Sequence, residues 1–316
     1  MNIFRCPKCF FNLKISNSKE NLDCNFCNSS YKIKNNFIDM LIKKDLDPIE
    51  KISINTWGND LHKSNKRKVL GHIKTMNNKY NEFPNILNGN ILEIGCGMGS
   101  DSEEISRLSN VNNIFAIDIG GNCKDIALNN LSNKKLKIIR ANCLNIPFKN
   151  DVFDFVYSYG VIHHTRDPLN ALFEIKRVLK LGGRVYLYVY SSHLKNKFKR
   201  VGIFLESLIM KLISPLNLNI KIFLIGLLSI FCWFLFSLPA LFFKSIGKDS
   251  FARKFPMHWG KTPFLIFPDL KDRLLAPVNH RFSKKEIRYL LKLVGLVEDS
   301  IIEDNSGLYL CAFNKE

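Results

Sequence analysis

The chain lacks an apolar run at its start: MNIFRCPKCF carries charge and cysteine from the outset, so no secretory leader is expected. Without a leader, its nine cysteines are not expected to form a disulfide framework, which leaves reduced thiols or metal ligands. Acid is short as well, 28 Asp+Glu against 46 Lys+Arg, for a formal charge of +18 over 316 residues. The deficit is uneven. Residues 1–80 hold 15 basic and 7 acidic side chains and residues 191–261 hold 11 and 2, whereas 81–190 hold 12 and 11 and 262–316 hold 8 and 8. The basic excess therefore sits on two segments appended to a neutral core. Those segments are expected to meet phosphate-bearing partners: anionic lipid, phosphorylated substrate or nucleic acid. With 46% hydrophobic and 23% charged residues the chain reads as globular, long enough for one large α/β domain with additions.

A dinucleotide-type G-x-G-x-x-G is missing too. In Asn90–Ser100, NILEIGCGMGS, the third glycine comes one place early, at Gly99. Ile91–Ile94 reads as a short buried strand, apolar apart from Glu93, and Gly95, Gly97 and Gly99 form a turn that backbone can approach closely. Ser100 with Glu103 three residues on is a capping-box signature, which predicts a helix start offering free N–H groups to something anionic.

The E-x-G-C-G-x-G form, Glu93 to Gly99, resembles the first motif of class I S-adenosylmethionine-dependent methyltransferases. In that family the turn cradles the methionine part of the cofactor and the motif acid lies close to its amino group. Further motifs follow in order. Asp118 ends a strand over Ile114–Ile117, nineteen residues after Gly99, where a carboxylate can accept both ribose hydroxyls. A strand over Leu136–Arg140 leads into Ala141–Phe148, ANCLNIPF, similar to the family stretch whose acid and small neighbour contact the adenine edge. Here Asn142 stands in the acidic place and Cys143 in the alanine place, so the adenine amine would meet an acceptor without charge.

Next come Phe153–Pro168, a helix over Leu169–Leu179, a Lys180–Gly183 turn and a strand over Arg184–Tyr190, in the order of the "type 11" branch, relatives of ubiquinone- and menaquinone-biosynthesis enzymes. Tyr159, His163 and His164 fall just past a strand end, where ligands bind in open α/β sheets. Either histidine can take a proton from an acceptor hydroxyl, or the pair can shape the pocket wall. No N/D-P-P-Y motif stands there, which argues against methylation of an exocyclic amine on a nucleic-acid base.

Cys6-Pro-Lys-Cys9 and Cys24-Asn-Phe-Cys27, fourteen residues apart, predict a structural zinc ribbon with four thiolates and no open position. Its closing strand, within Tyr31–Met40, is similar to ribbons that precede some bacterial methyltransferases, which contribute to RNA binding among the rRNA enzymes and elsewhere only dock or stabilise; the ribbon alone does not choose between these. Lys43–Phe83 is polar, with helical patches and Trp57 as its one large anchor.

Ile222–Phe243 runs twenty-two residues without a charge, enough to cross a bilayer. A single crossing is excluded, because the segments on either side resemble parts of one sheet. The expectations left are a hairpin with Val201–Leu216, a buried cap helix, or a segment lying in the interface and broken at Pro239. Lysines and arginines on both flanks favour membrane contact. His258–Phe264 and the Asp272–Phe282 loop are expected to return the chain to the core, and Ser283 with Glu286 repeats the capping box.

The resemblance implies a Rossmann-like α/β sheet of seven strands, the last antiparallel. The expected divisions are a ribbon over 1–42, a linker over 43–87, a cofactor-binding core over 88–190, an apolar insertion over 191–262 and a return over 263–316. The implied cofactors are S-adenosylmethionine, held by Glu93, Gly95, Gly97, Gly99, Asp118, Asn142, Cys143 and Tyr159, and zinc on Cys6, Cys9, Cys24 and Cys27. The expected reaction is methyl transfer to oxygen or carbon of an amphiphilic, lipid-linked or glycan-pathway acceptor, on the cytoplasmic face of a membrane. Two alternatives stand beside it: an rRNA or tRNA methyltransferase gripping RNA with ribbon and basic segments, and a non-catalytic scaffold.

Overall fold

Short paired strands before residue 40 and strand–helix alternation after residue 88 set the layout of the computed structural model, which describes residues 3–56, 72–80, 83, 86–129, 132–194, 197–255, 257, 260 and 262–315. Trp57, His258, Trp259 and Lys261 lie outside the described residues. The N-terminal part holds β1 (Lys14–Ile15), β2 (Asn21–Asp23), β3 (Ser30–Lys34), β4 (Phe37–Asp39) and the short helices α1 (Pro48–Asn55) and α2 (Ile73–Asn77). The core follows as β5 (Gly89–Ile94), α3 (Ser100–Ser106), β6 (Val111–Asp118), α4 (Cys123–Asn129), β7 (Leu136–Arg140), β8 (Phe153–Tyr159), α5 (Pro168–Val178) and β9 (Leu179–Val189). After an insertion carrying α6 (Lys197–Ile213), α7 (Leu218–Cys232), α8 (Leu238–Ser245), α9 (Asp249–Ala252) and α10 (Pro263–Leu275), the chain ends in α11 (Lys284–Val294), β10 (Leu296–Glu303) and β11 (Leu308–Asn314).

Among the described residues the sheet has eleven strands, not the expected seven. Seven do form the core, in the order β7-β6-β5-β8-β9-β11-β10, with β11 antiparallel to both neighbours. The other four come from the N-terminal module, in the order β1-β2-β3-β4. β4 lies parallel to β7, pairing Phe37 with Ile138 and Asp39 with Arg140, so the ribbon occupies an edge that would otherwise offer unpaired backbone groups. The expected Lys180–Gly183 turn is instead a bulge inside β9, where pairing with β8 jumps from Leu179 to Arg184 and Gly182 takes a φ of 74°.

Strand alternation sorts the core into two faces. Val185, Leu187 and Val189 of β9 face an aliphatic layer with α5 and α11, while Tyr186, Tyr188 and Tyr190 face an aromatic layer with Tyr157 and Tyr309. α11 starts as expected: the Ser283 hydroxyl accepts from the Glu286 N–H at 3.2 Å and the Glu286 carboxylate accepts from the Ser283 N–H at 2.7 Å. Ser283→Ala removes half of that reciprocal cap and is expected to cost about 1 kcal/mol. The thermal midpoint should fall by roughly 2–4 °C in a melt of the full chain.

Residues 194–276 form a second compact unit, with a core built from Ile213, Ile225, Cys232, Ile266, Leu270 and Leu274. Its long helix is continuous over Leu218–Ser245, 28 residues, and among the described residues it alone is long and apolar enough to cross a membrane. Pro239 does not break it. A π-helical turn over Trp233–Ser237 immediately precedes α8, which carries Pro239 as its second residue. The flanks of this unit belong to one sheet: Leu187 in β9 pairs with Leu310 in β11. The chain that leaves after β9 must therefore return to the same side.

Candidate active site

The central parallel strands end side by side, and the segment after each brings a functional group to the carboxyl edge of the sheet. β5 gives way to the glycine turn because Gly95 and Gly99 take φ of 75° and 76°, in the left-handed region. Side chains are excluded there as well. A Cβ on Gly95 would lie 2.0 Å from Val161 Cγ2, and one on Gly99 2.6 Å from Ile126 Cγ2. The Ile117 carbonyl accepts from the amides of Gly95 at 2.8 Å and Cys96 at 3.1 Å, which ties the turn to the end of β6.

Asp118, at that end, accepts from the Gly97 amide at 2.9 Å and the Gly120 amide at 2.7 Å. Two lone pairs are used and two remain, and the side chain is only half-buried, so the carboxylate keeps capacity for a ligand's hydroxyls. Asn122 donates its side-chain amide to the Gly97 carbonyl and closes the same turn.

The expected capping box of Ser100 and Glu103 does not form. Gly99, in the left-handed conformation, is itself the N-cap, so Ser100 already lies inside α3, and Glu103 pairs with Arg107 instead. Nor does this end suit an anion. α3 is seven residues long and has Asp101 and Glu103 in its first turn. Asp101 is buried and takes hydrogen bonds from the Tyr157 hydroxyl at 3.1 Å and from the His72 backbone amide, with His72 Nδ1 at 3.2 Å. Glu93, 3% exposed, has the Ser102 hydroxyl as its partner. Burial first, then the charges of Asp101 and Asp118, push the Glu93 carboxyl up to about 8. Among the described residues the hydrogen-bond partners of Glu93 and Asp118 are neutral, so a bound cation would draw the Glu93 carboxyl back towards its ionised form. The ammonium and sulfonium charges of S-adenosylmethionine fit that donor set.

The Glu93 shift has a sign that can be tested. Below the ordinary carboxyl value of 4.5 the group is protonated whether or not the chain is folded, and it adds no pH dependence. As pH rises from 4.5 towards 8 the unfolded chain ionises first, and folding stability is lost. Glu93→Gln should therefore match the parent near pH 4, exceed it in apo stability at pH 8 by roughly a few kcal/mol, and bind a cationic ligand more weakly. Melts at both pH values, with calorimetry at pH 8, check this.

Asn142 follows β7. Its amide donates to Glu50 Oε1 at 2.8 Å and its carbonyl accepts from the Leu144 N–H at 2.9 Å. Glu50 is a buried residue of α1, held by its own capping box with Asp47 and by Arg166 at 3.3 Å. A carboxylate is thus present beside the strand end, on a different element from the one the family pattern uses. The Cys143 thiol next to it is pushed up to about 12 by burial, then by Glu50 and Asp118, and stays neutral.

Tyr159 ends β8 between two rings, with the His72 imidazole stacked at 3.9 Å and the Tyr188 phenol at 4.3 Å. His163 and His164 lie in a short 3-10 turn over Ile162–His164. His163 is fully buried with its ring 3.9 Å from that of Tyr190, and His164 Nδ1 lies 3.1 Å from the Val278 carbonyl. Both histidines are buried, His163 at 0% and His164 at 7% exposure. His72, Asp101 and Glu50 were not singled out from the sequence. Asp47-Pro-Ile-Glu50, a second capping box, was the available signal for the last.

The four cysteines converge, with every pair of sulfurs within 4.8 Å, Cys9 to Cys24 at 3.3 Å and Cys6 to Cys27 at 3.6 Å. A zinc tetrahedron with bonds of about 2.3 Å has edges of roughly 3.8 Å, so the set fits a closed structural site.

Residues 92–187 match the family described as a methyltransferase domain. The chain is 22% identical over 210 residues to an uncharacterized chloroplastic methyltransferase of Arabidopsis thaliana, covering 57% of this chain and 60% of the relative. It is 32% identical over 110 residues to a Mus musculus protein described as "Probable tRNA methyltransferase 9B", covering 34% of this chain and 23% of the relative. It is 29% identical over 110 residues to a sterol 24-C-methyltransferase of Schizosaccharomyces pombe, covering 32% of this chain and 28% of the relative. The chain spans between about a quarter and three fifths of the length of these relatives.

Proposed function

We propose, for a chain that belongs through residues 92–187 to the class I S-adenosylmethionine-dependent methyltransferases, that it methylates an oxygen or carbon of an amphiphilic, lipid-linked or glycan-pathway acceptor at the cytoplasmic face of a membrane. The bound cofactor supplies an electrophilic methyl group on a sulfonium. Asp118 takes the ribose hydroxyls, Glu93 and the turn of Gly95, Gly97 and Gly99 take the methionine end, and Asn142 and Cys143 take the adenine edge. Tyr159, with His163 and His164 behind it, lines the acceptor side. A transfer of this kind needs donor and acceptor held in line more than it needs a strong base. That suits a wall of aromatic rings with its histidines buried.

The observation that carries the acceptor class is the exposed apolar surface of residues 194–276, inserted between β9 and α11. The sterol enzyme among the relatives agrees with it. The rRNA or tRNA reading draws on the mouse relative's description and on the basic excess of residues 1–80 and 191–261. Incubation with labelled S-adenosylmethionine and separated lipid, glycan and RNA fractions decides between them. Label is expected in the lipid or glycan fraction. Label confined to RNA would replace this reading with the second, and cofactor binding without transfer to any fraction would leave a scaffold.

A further inference from the structure

Residues 194–276 have an apolar core and, in addition, an outer face that is apolar. A soluble helical unit turns its apolar stripe inward and its charges to water. Here Lys271, Ser229 and Ser237 are buried, and Glu206 of α6 points to Arg273 of α10 at 3.8 Å, with Asp269 3.0 Å from the same guanidinium. The outward side is apolar. On α6, Val201, Phe204, Leu205, Leu208 and Leu212 recur every three or four residues and are all exposed. On the long helix, Phe223, Leu227, Ile230, Phe231, Phe234, Leu238 and Phe242 do the same, with Phe234 67% exposed. The most apolar stretch of Leu218–Ser245 is only 22% buried, whereas the core helix of a soluble protein is mostly buried.

We propose that this face docks in one leaflet of an anionic lipid bilayer, with α6 and the Leu218–Ser245 helix lying in the interface and neither crossing it. Charge selects the occupant. Residues 191–261 hold 11 basic and 2 acidic side chains, and the long helix has Lys221 near its start, Lys244 at its end and Lys248 just beyond it. Both ends are therefore drawn to the same phosphate surface. A second copy of the chain would bring like charge against like charge. The pairing of β9 with β11 requires the chain to return to the side it left.

The inference does not depend on which acceptor is methylated. The test is co-flotation of the full chain with vesicles of phosphatidylcholine alone or with one quarter phosphatidylglycerol. Strong flotation is expected with the anionic vesicles, persisting in 1 M salt because apolar insertion outlasts screening. L208D/F223D/F234D should lower the vesicle-bound fraction at least tenfold while its S-adenosylmethionine affinity stays at the parent value, which keeps loss of docking separate from loss of the core. Three outcomes would overturn the proposal: no flotation with anionic vesicles, complete release by salt, or a stable dimer in light scattering that the same variant dissolves.

Discussion

Stripping zinc from the full chain is expected to lower its thermal midpoint by roughly 10 °C and to weaken S-adenosylmethionine binding about tenfold or more. The first effect follows from how little else holds the ribbon. Its strands are two to five residues long, and a module of that size rarely folds without metal. The second follows from what the ribbon grips. The Pro7 carbonyl, inside the first cysteine knuckle, accepts from the Asn145 side chain at 2.6 Å. The Arg5 amide donates to the Pro147 carbonyl at 3.2 Å, and its guanidinium meets Glu174 at 2.8 Å. Phe4 stacks on Phe148 with centroids 5.1 Å apart.

All of these contacts fall on or beside the loop over 141–148 that carries Asn142 and Cys143. Loss of the tetrahedron frees β4 as well, which leaves the β7 edge open beside Ile138 and Ile139, both fully buried now. Chelation monitored by zinc content, a melt and calorimetry tests the coupling, with Cys6→Ser/Cys24→Ser as the genetic equivalent. An unchanged midpoint and affinity after verified zinc loss would show the ribbon to be a passenger.

That coupling was not legible in the sequence. The two C-x-x-C pairs announce a metal site because four thiolates at that spacing have few other uses. Nothing in Phe37–Asp39, however, says that its free edge will meet β7 rather than solvent, since strand pairing is set by tertiary contacts. The core strands were legible for the opposite reason. Leu136–Arg140 has the bounds expected of it, and Ile114–Ile117 is extended at its ends only, because buried parallel strands read as short apolar runs between turns.

The start of α3 departs from the capping pattern. Ser100 and Glu103 satisfy the capping pattern, but the left-handed Gly99 already serves as N-cap, and so the expected anion site became a cluster of buried carboxylates. His72 and Asp101 come from elements about thirty residues apart, and no local pattern links them. The inserted unit could be read as apolar and basic, but which of its faces is outward depends on α10 and the Glu206–Arg273 pair.

Asp118→Ala is expected to reduce S-adenosylmethionine affinity by about a hundredfold or more. Two hydrogen bonds to a charged carboxylate are together worth roughly 3–6 kcal/mol. Part of that loss passes through the turn, since Gly97 and Gly120 both lean on this side chain. Asp118→Asn separates the contributions. It keeps an acceptor for one of the amides but removes the charge, and should fall between the parent and the alanine variant.

The measurement that bears most directly on the whole account is a calorimetric titration of S-adenosylmethionine into the parent and Asp118→Ala chains, each first shown by its melt to be folded. The account predicts one-to-one binding to the parent and binding to the variant weaker by about a hundredfold or more. Equal affinity in the two, or no binding to a folded parent, would contradict it.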